Sequence, residues 1–152
     1  MDGGKRDLGN SSTRIGAMVR WSGIAMVALG ILHMIVLGID AAAEVPSWLR
    51  LELWTSEHWQ PFRTQRQEVL ASNAAFWSTV GSFALPLIMI GFVVIWLDKR
   101  RLPVPTFLGW SLLAWIAVAS LIIEVSGFPL GIPIAICLIL GARQQNGLAW
   151  MA

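Results

Sequence analysis

The sequence predicts an all-α membrane protein, a four-helix transmembrane bundle with a folded extracytoplasmic loop between its first and second helices. Three observations carry that expectation. Of 152 residues, 56% are hydrophobic and only 13% are charged, well below the roughly 25% charged residues of an average soluble domain. Apolar stretches of about 20 residues, long enough to cross a hydrocarbon core of about 30 Å, recur along the chain. Nine tryptophans occur with no tyrosine, and indole rings favour the membrane–water boundary.

The elements follow in order. Residues 1–18 form a polar, basic tail. The membrane domain, 19–143, holds four apolar runs, from about Val19 to Ile39, Ala74 to Leu97, Phe107 to Val125 and Phe128 to Ala142. As helices these are about 31, 36, 28 and 22 Å long at 1.5 Å per residue, so only the fourth is short. Its Pro129 and Pro133 suit a first turn, where a missing N–H costs least. Pro86 is expected to kink the second helix near its middle. Residues 144–152 form a second tail.

Basic residues set the orientation. Lys5, Arg6, Arg14 and Arg20 precede the first run, Lys99, Arg100 and Arg101 follow the second, and Arg143 follows the fourth. With four crossings these eight share one side, against Arg50, Arg63 and Arg66 on the other. The positive-inside rule then makes the chain a multi-pass protein of the cell membrane with both termini cytoplasmic. The segment "DAAAE" offers small residues where a leader could be cleaved. The preceding apolar run exceeds the 7 to 15 residues of a signal h-region, so the first helix is expected to stay.

The outer loop, 40–73, interleaves Trp48, Leu49, Leu51, Leu53, Trp54 and Trp59 with charges. That pattern suggests a short amphipathic helix or folded cap on the bilayer surface. It could equally be a lid over a site between the helices.

The stretch "LGILHMIVLGIDAAAE", residues 29–44, places three ionisable groups in a greasy context. Steps of seven and four residues turn a helix by about −20° and +40°, so His33, Asp40 and Glu44 share a stripe if the helix persists to Glu44. Glu124 lies near the outer end of the third run. Asn73, Ser78, Thr79 and Ser82 occupy the outer half of the second, with Ser78 and Ser82 one turn apart on one face. An ionisable group within a span costs a few kcal/mol, so His33 and Glu124 together warrant a functional hypothesis. The candidate catalytic residues are His33, Glu124 and Asp40, with Glu44, Asn73, Ser78, Ser82, Trp77 and Trp54 as ligand-binding candidates. A His–Glu couple could move protons on a lipid-soluble substrate, as isomerisation, cyclisation or epoxide opening requires. The plainer alternative is a core histidine bonded to a neighbouring backbone carbonyl or serine.

Familiar signatures are missing: no glycine-rich phosphate loop, no G-x-S-x-G elbow and no H-E-x-x-H. One cysteine, Cys137, allows no intrachain disulfide and no thiolate cluster. No cofactor or metal site is expected, and the formal charge of +2 is too small to suggest nucleic acid.

The stretches "RWSGIAMVALGILHMIVLG", "LELW", "AFWSTVGSFALPLIMIGFVVIWLDKR", "PTFLGWSLLAWI" and "SGFPLGIPIAICLILGAR" resemble a bacterial family of small four-helix integral membrane proteins carried as a domain of unknown function, DoxX-like in layout. His33, Trp77, Pro86, Trp96 and Trp110 stand where that family's pattern has a His, an aromatic, a Pro and two Trp; Glu124 has no place in it. The resemblance implies the topology and no established activity. DoxX-like relatives are regarded as membrane partners of redox systems.

Two function classes are therefore open. In the first, an intramembrane polar site in the outer half of the bundle binds a hydrophobic small molecule or membrane lipid, with or without transforming it by cofactor-independent acid–base chemistry. In the second, the protein is a non-enzymatic accessory subunit of a larger membrane complex, a redox complex among the candidates, meeting a membrane-protein partner or a second copy of itself.

Overall fold

The computed structural model describes residues 3–123 and 126–149, with the side chains of 16–57, 59–123 and 126–147. No strand occurs among the described residues. The helices are α1 (Gly3–Ala41), α2 (Val45–Leu49), α3 (Gln67–Ser78), α4 (Ala84–Lys99), α5 (Thr106–Ile122) and α6 (Gly131–Ala149), with single 3-10 turns at Ala42–Glu44, Ser56–Trp59, Phe62–Thr64 and Phe128–Leu130. Two helical stretches are long and apolar enough to cross a membrane, Gly16–Leu49 with 34 residues and Phe128–Gly147 with 20. Thr106–Ile122 is a shorter apolar helix.

The expected first helix is present but begins at Gly3 rather than near Val19, because the polar tail contains no proline to stop it. The second apolar run departs more sharply from expectation. It is two helices, α3 and α4, separated at residues 79–83. In an unbroken helix the Pro86 ring would meet the Ser82 carbonyl and would leave it without a donor. Instead Pro86 is the third residue of α4, where an N–H is not required, so it starts a helix rather than kinking one. The Ser82 hydroxyl accepts the Ala84 N–H at 3.2 Å, as a capping serine does. The fourth run behaves as expected at its start: Pro129 lies in the 3-10 turn and Pro133 in the first turn of α6.

The chain divides into two compact units, residues 1–28 with 89–152, and residues 29–88. In the first, small residues set the helix contacts. A Cβ on Gly91 would lie 2.7 Å from the Gly23 carbonyl oxygen, so only glycine lets α1 and α4 approach this closely. Ile139 packs on Gly109 and Ile116 on Gly131, making α5 and α6 an antiparallel hairpin, while Gly141 faces Val19 of α1. Ala135 is fully buried at the small-residue step that begins at Gly131, whereas Ala114 and Ala117 are exposed. Gln145 accepts the Val104 N–H at 3.2 Å, and Asn146 donates to the Val104 carbonyl at 3.3 Å, tying the α4–α5 connection to α6. Leaving α4, Leu102 N–H returns to Leu97 and Arg101 N–H to Asp98, a Schellman turn that holds Arg101 at φ 56°.

In the second unit, the indole N–H of Trp48 donates to the Ser72 hydroxyl at 3.0 Å, and its ring meets Phe76 edge-on. These contacts fasten α2 to α3. The Glu57 carboxylate accepts from the backbone N–H of Arg66 at 2.8 Å and from its guanidinium at 3.0 Å. Arg66 is the N-cap of α3, so this carboxylate sits at the positive end of the helix. α2 ends in another Schellman turn, with Glu52 N–H to Ser47, Leu51 N–H to Trp48 and Leu51 at φ 60°. The segment 40–73 is thus folded.

Candidate functional site

The helix break at residues 79–83 positions the candidate site. α3 stops at Ser78, and Thr79 takes φ −122° and ψ −96°, outside the helical region. The chain closes on itself through Thr79 N–H and Gly81 N–H, both donated to the Phe76 carbonyl at 3.2 and 2.8 Å. Gly81 is required for this closure: a Cβ there would lie 2.7 Å from the Phe76 ring and 2.9 Å from the Trp77 ring. The Thr79 hydroxyl is buried and donates to Ala75, and the Ser78 hydroxyl also donates to Ala75, at 2.7 and 3.0 Å.

Breaking a helix orphans its last carbonyls. His33 of α1 answers that need. Its Nε2 lies 3.1 Å from the Ser78 carbonyl oxygen. A carbonyl only accepts, so Nε2 carries the proton and the side chain caps the negative end of α3. The other ring nitrogen, Nδ1, makes no hydrogen bond among the described residues. His33 is half-buried, so that lone pair lies at a partly open position. Beside it, a Cβ on Gly30, one turn earlier, would lie 2.5 Å from Ile88 Cγ1 and 2.9 Å from the Ala84 carbonyl. α1 and the start of α4 therefore meet backbone to backbone at this level.

The other expected site residues are distributed as follows. Asn73 is buried in α3, six residues before the break, and Ser82 lies inside the break. Ser78 and Ser82 do not share a helix face, because the helix between them is interrupted. Trp77 is 60% exposed and stacks edge-on against Phe76. Asp40 is exposed in the last turn of α1, Glu44 is half-buried at the end of the 3-10 turn, and Trp54 is 84% exposed in the loop. Glu124 lies outside the described residues, so the His33–Glu124 couple falls outside them too. Among the described residues no group of three His, Cys, Asp or Glu side chains could hold a metal ion.

Sequence reasoning named Thr79, buried at 2% exposure, without a role, did not place Gly81 at a break, and left open which carbonyl or serine His33 bonds. Gly81-Ser82, four residues before a proline, was the available signal, since Gly and Ser followed by Pro mark a helix start.

A family model described as a family of unknown function (DUF6463) matches residues 17–145. No curated protein and no solved structure matches the chain.

Proposed function

The chain belongs to the DUF6463 family, and on that premise we propose that it is an integral membrane protein that binds a hydrophobic small molecule at the broken helix end held by His33. The observation that carries the reading is His33 itself: one ring nitrogen holds the open end of α3 and the other is left to a ligand. Within a bilayer, non-helical backbone is tolerated where it is buried in protein or lines a cavity, and interrupted helices commonly form binding sites. Residues 79–83 are such an interruption in an apolar run. A donor on the ligand's polar end, a hydroxyl or an amide, would meet Nδ1, with its apolar body among neighbouring side chains.

The finer topology belongs to the same proposal. α1, α3 with α4, α5 and α6 make four crossings, with both termini cytoplasmic and residues 40–73 outside. Many large apolar side chains face outward, among them Ile35, Ile39, Met89, Phe92, Leu121 and Ile122, at 57 to 88% exposure. Such surface is rare on a soluble monomer and ordinary against lipid. Reporter fusions at both termini and within residues 51–65 test the orientation; a cytoplasmic loop overturns it.

The binding test is native mass spectrometry on protein extracted in mild detergent. Wild type should carry an apolar non-phospholipid adduct that His33→Ala loses, with both samples folded by circular dichroism. Equal retention by His33→Ala overturns the ligand role and leaves the histidine as a helix cap. Acid–base turnover is the further step of this reading, with Glu124 as the proton partner of His33; loss of turnover in Glu124→Gln with binding intact would identify it. A second reading has its own observation: Leu49, Trp54, Trp59 and Phe62 are all more than 70% exposed in the outer loop. A stoichiometric membrane partner that co-purifies through this loop would favour an accessory role.

A further inference from the structure

An open apolar groove of about 370 Å³ runs between α1 and α6. Ala17, Trp21 and Ala25 form one wall and Pro133, Ile134 and Cys137 the other. The α1 residues are spaced at i, i+4 and i+8, so the groove follows the helix axis for about 12 Å. Its one hydroxyl, that of Ser22, is spent on the Met18 carbonyl at 2.9 Å. The walls therefore offer no free polar group to a ligand, and suit an alkyl chain. The groove starts on the turn that carries Arg20, which is exposed and has no ion-pair partner among the described residues. Trp21, 64% exposed, flanks it.

The charge around this end is one-sided. Across residues 16–28, 89–123 and 126–147 there are five cations, Arg20, Lys99, Arg100, Arg101 and Arg143, and one carboxylate, Asp98. Two of the cations are engaged by rings: Arg100 stands over Trp96 at 5.7 Å and Arg143 over Trp110 at 5.3 Å. Of the three others, Arg20 is the one on the α1 turn where the groove starts, and there it is left to bind an external anion. An apolar groove with a cation at its head is complementary to one class of molecule. We propose that the groove holds one acyl chain of an anionic glycerophospholipid, with the lipid phosphate on Arg20. This rests on the membrane reading above and not on the ligand at His33.

Cys137 lines the groove, is exposed, and is the sole cysteine of the chain, so it reports occupancy directly. The full-length protein in detergent is titrated with phosphatidylglycerol or with phosphatidylcholine of matched chains. Maleimide labelling of Cys137 and the number of lipids retained in native mass spectra are then followed. Phosphatidylglycerol should slow labelling at lower concentration than phosphatidylcholine. Arg20→Gln should weaken phosphatidylglycerol about fivefold, the ~1 kcal/mol that one basic side chain is worth at an anionic surface, and leave phosphatidylcholine unchanged. Ala25→Trp, which fills the groove, should remove protection by both lipids. Arg20 is a surface residue, so its variant keeps the test decisive if Ala25→Trp does not fold. Equal protection by the two lipids, or an Arg20→Gln protein indistinguishable from wild type, overturns the proposal. His33→Ala should keep the protection of Cys137, which separates failure here from failure of the His33 site.

Discussion

Two glycines of α1, eight residues apart, should respond oppositely to the same substitution. Gly30→Ala puts a methyl 2.5 Å from Ile88 Cγ1 and 2.9 Å from the Ala84 carbonyl oxygen; Gly38→Ala meets nothing within 4 Å. The isoleucine can rotate away, but the carbonyl is helix backbone and cannot, so α1 and the start of α4 must move apart. Both variants gain the same helix propensity, about 1 kcal/mol over glycine. Their difference therefore isolates the overpacking, which costs about 1–3 kcal/mol in a packed contact. At roughly 2–4 °C per kcal/mol for a chain of this size, a central value of about 2 kcal/mol separates the two melting temperatures by about 4–8 °C. Thermal unfolding in detergent, followed by tryptophan fluorescence, reads this directly. Gly38→Ala should melt at or above wild type and Gly30→Ala below it. Equal melting temperatures would mean that α1 and α4 do not meet at Gly30, and that His33, one turn away, is not held against the break.

Three further outcomes follow from the same geometry. Pro86→Ala should change stability by less than about 1 kcal/mol, because Pro86 lies in a first turn; a gain near the ~3 kcal/mol that a proline costs inside a helix would restore a continuous, kinked helix. Leu51→Gly should stabilise the fold by up to about 1–2 kcal/mol, since a leucine at φ 60° bears the steric penalty that glycine lacks; a destabilised variant would refute the left-handed turn. Arg66 holds the Glu57 carboxyl below the usual carboxylate range, through its side chain first and its backbone N–H second. A group depressed in the folded state stabilises above its unfolded value and loses that contribution as pH falls through its folded value. Proteolysis of the 57–66 loop should therefore accelerate on acidification below the ordinary carboxylate range in wild type, and be fast and pH-insensitive there in Glu57→Gln.

Hydropathy made the helical content legible, and the prolines made the start of α6 legible, because both act within a few residues of themselves. The break in the second run was hidden for the opposite reason. Ser78, Thr79, Gly81 and Ser82 do mark residues 78–82 locally, but a helix can carry such residues without breaking, and the tilt of Pro86 from kink to helix start is decided by whether the Ser82 carbonyl has a helical donor. Reading Ser78 and Ser82 as one face assumed a continuity that the backbone lacks. The left-handed residues Leu51 and Arg101 were equally invisible, since glycine is the usual signal for that conformation. His33 stood out in the sequence as a titratable group in a span, but its partner is a main-chain carbonyl 45 residues away, which no side-chain pattern can reveal.

In the proposed site His33 carries its proton on Nε2, which holds α3, and leaves Nδ1 for a ligand. The ¹⁵N chemical shifts of the imidazole, measured in lipid nanodiscs with His58→Gln to leave one histidine signal, test it most directly. A neutral ring with the proton on Nε2, and an Nδ1 resonance that shifts when the co-purified apolar molecule is restored, is the result predicted. A neutral ring with the proton on Nδ1 would contradict it, because a bare Nε2 cannot bond the Ser78 carbonyl.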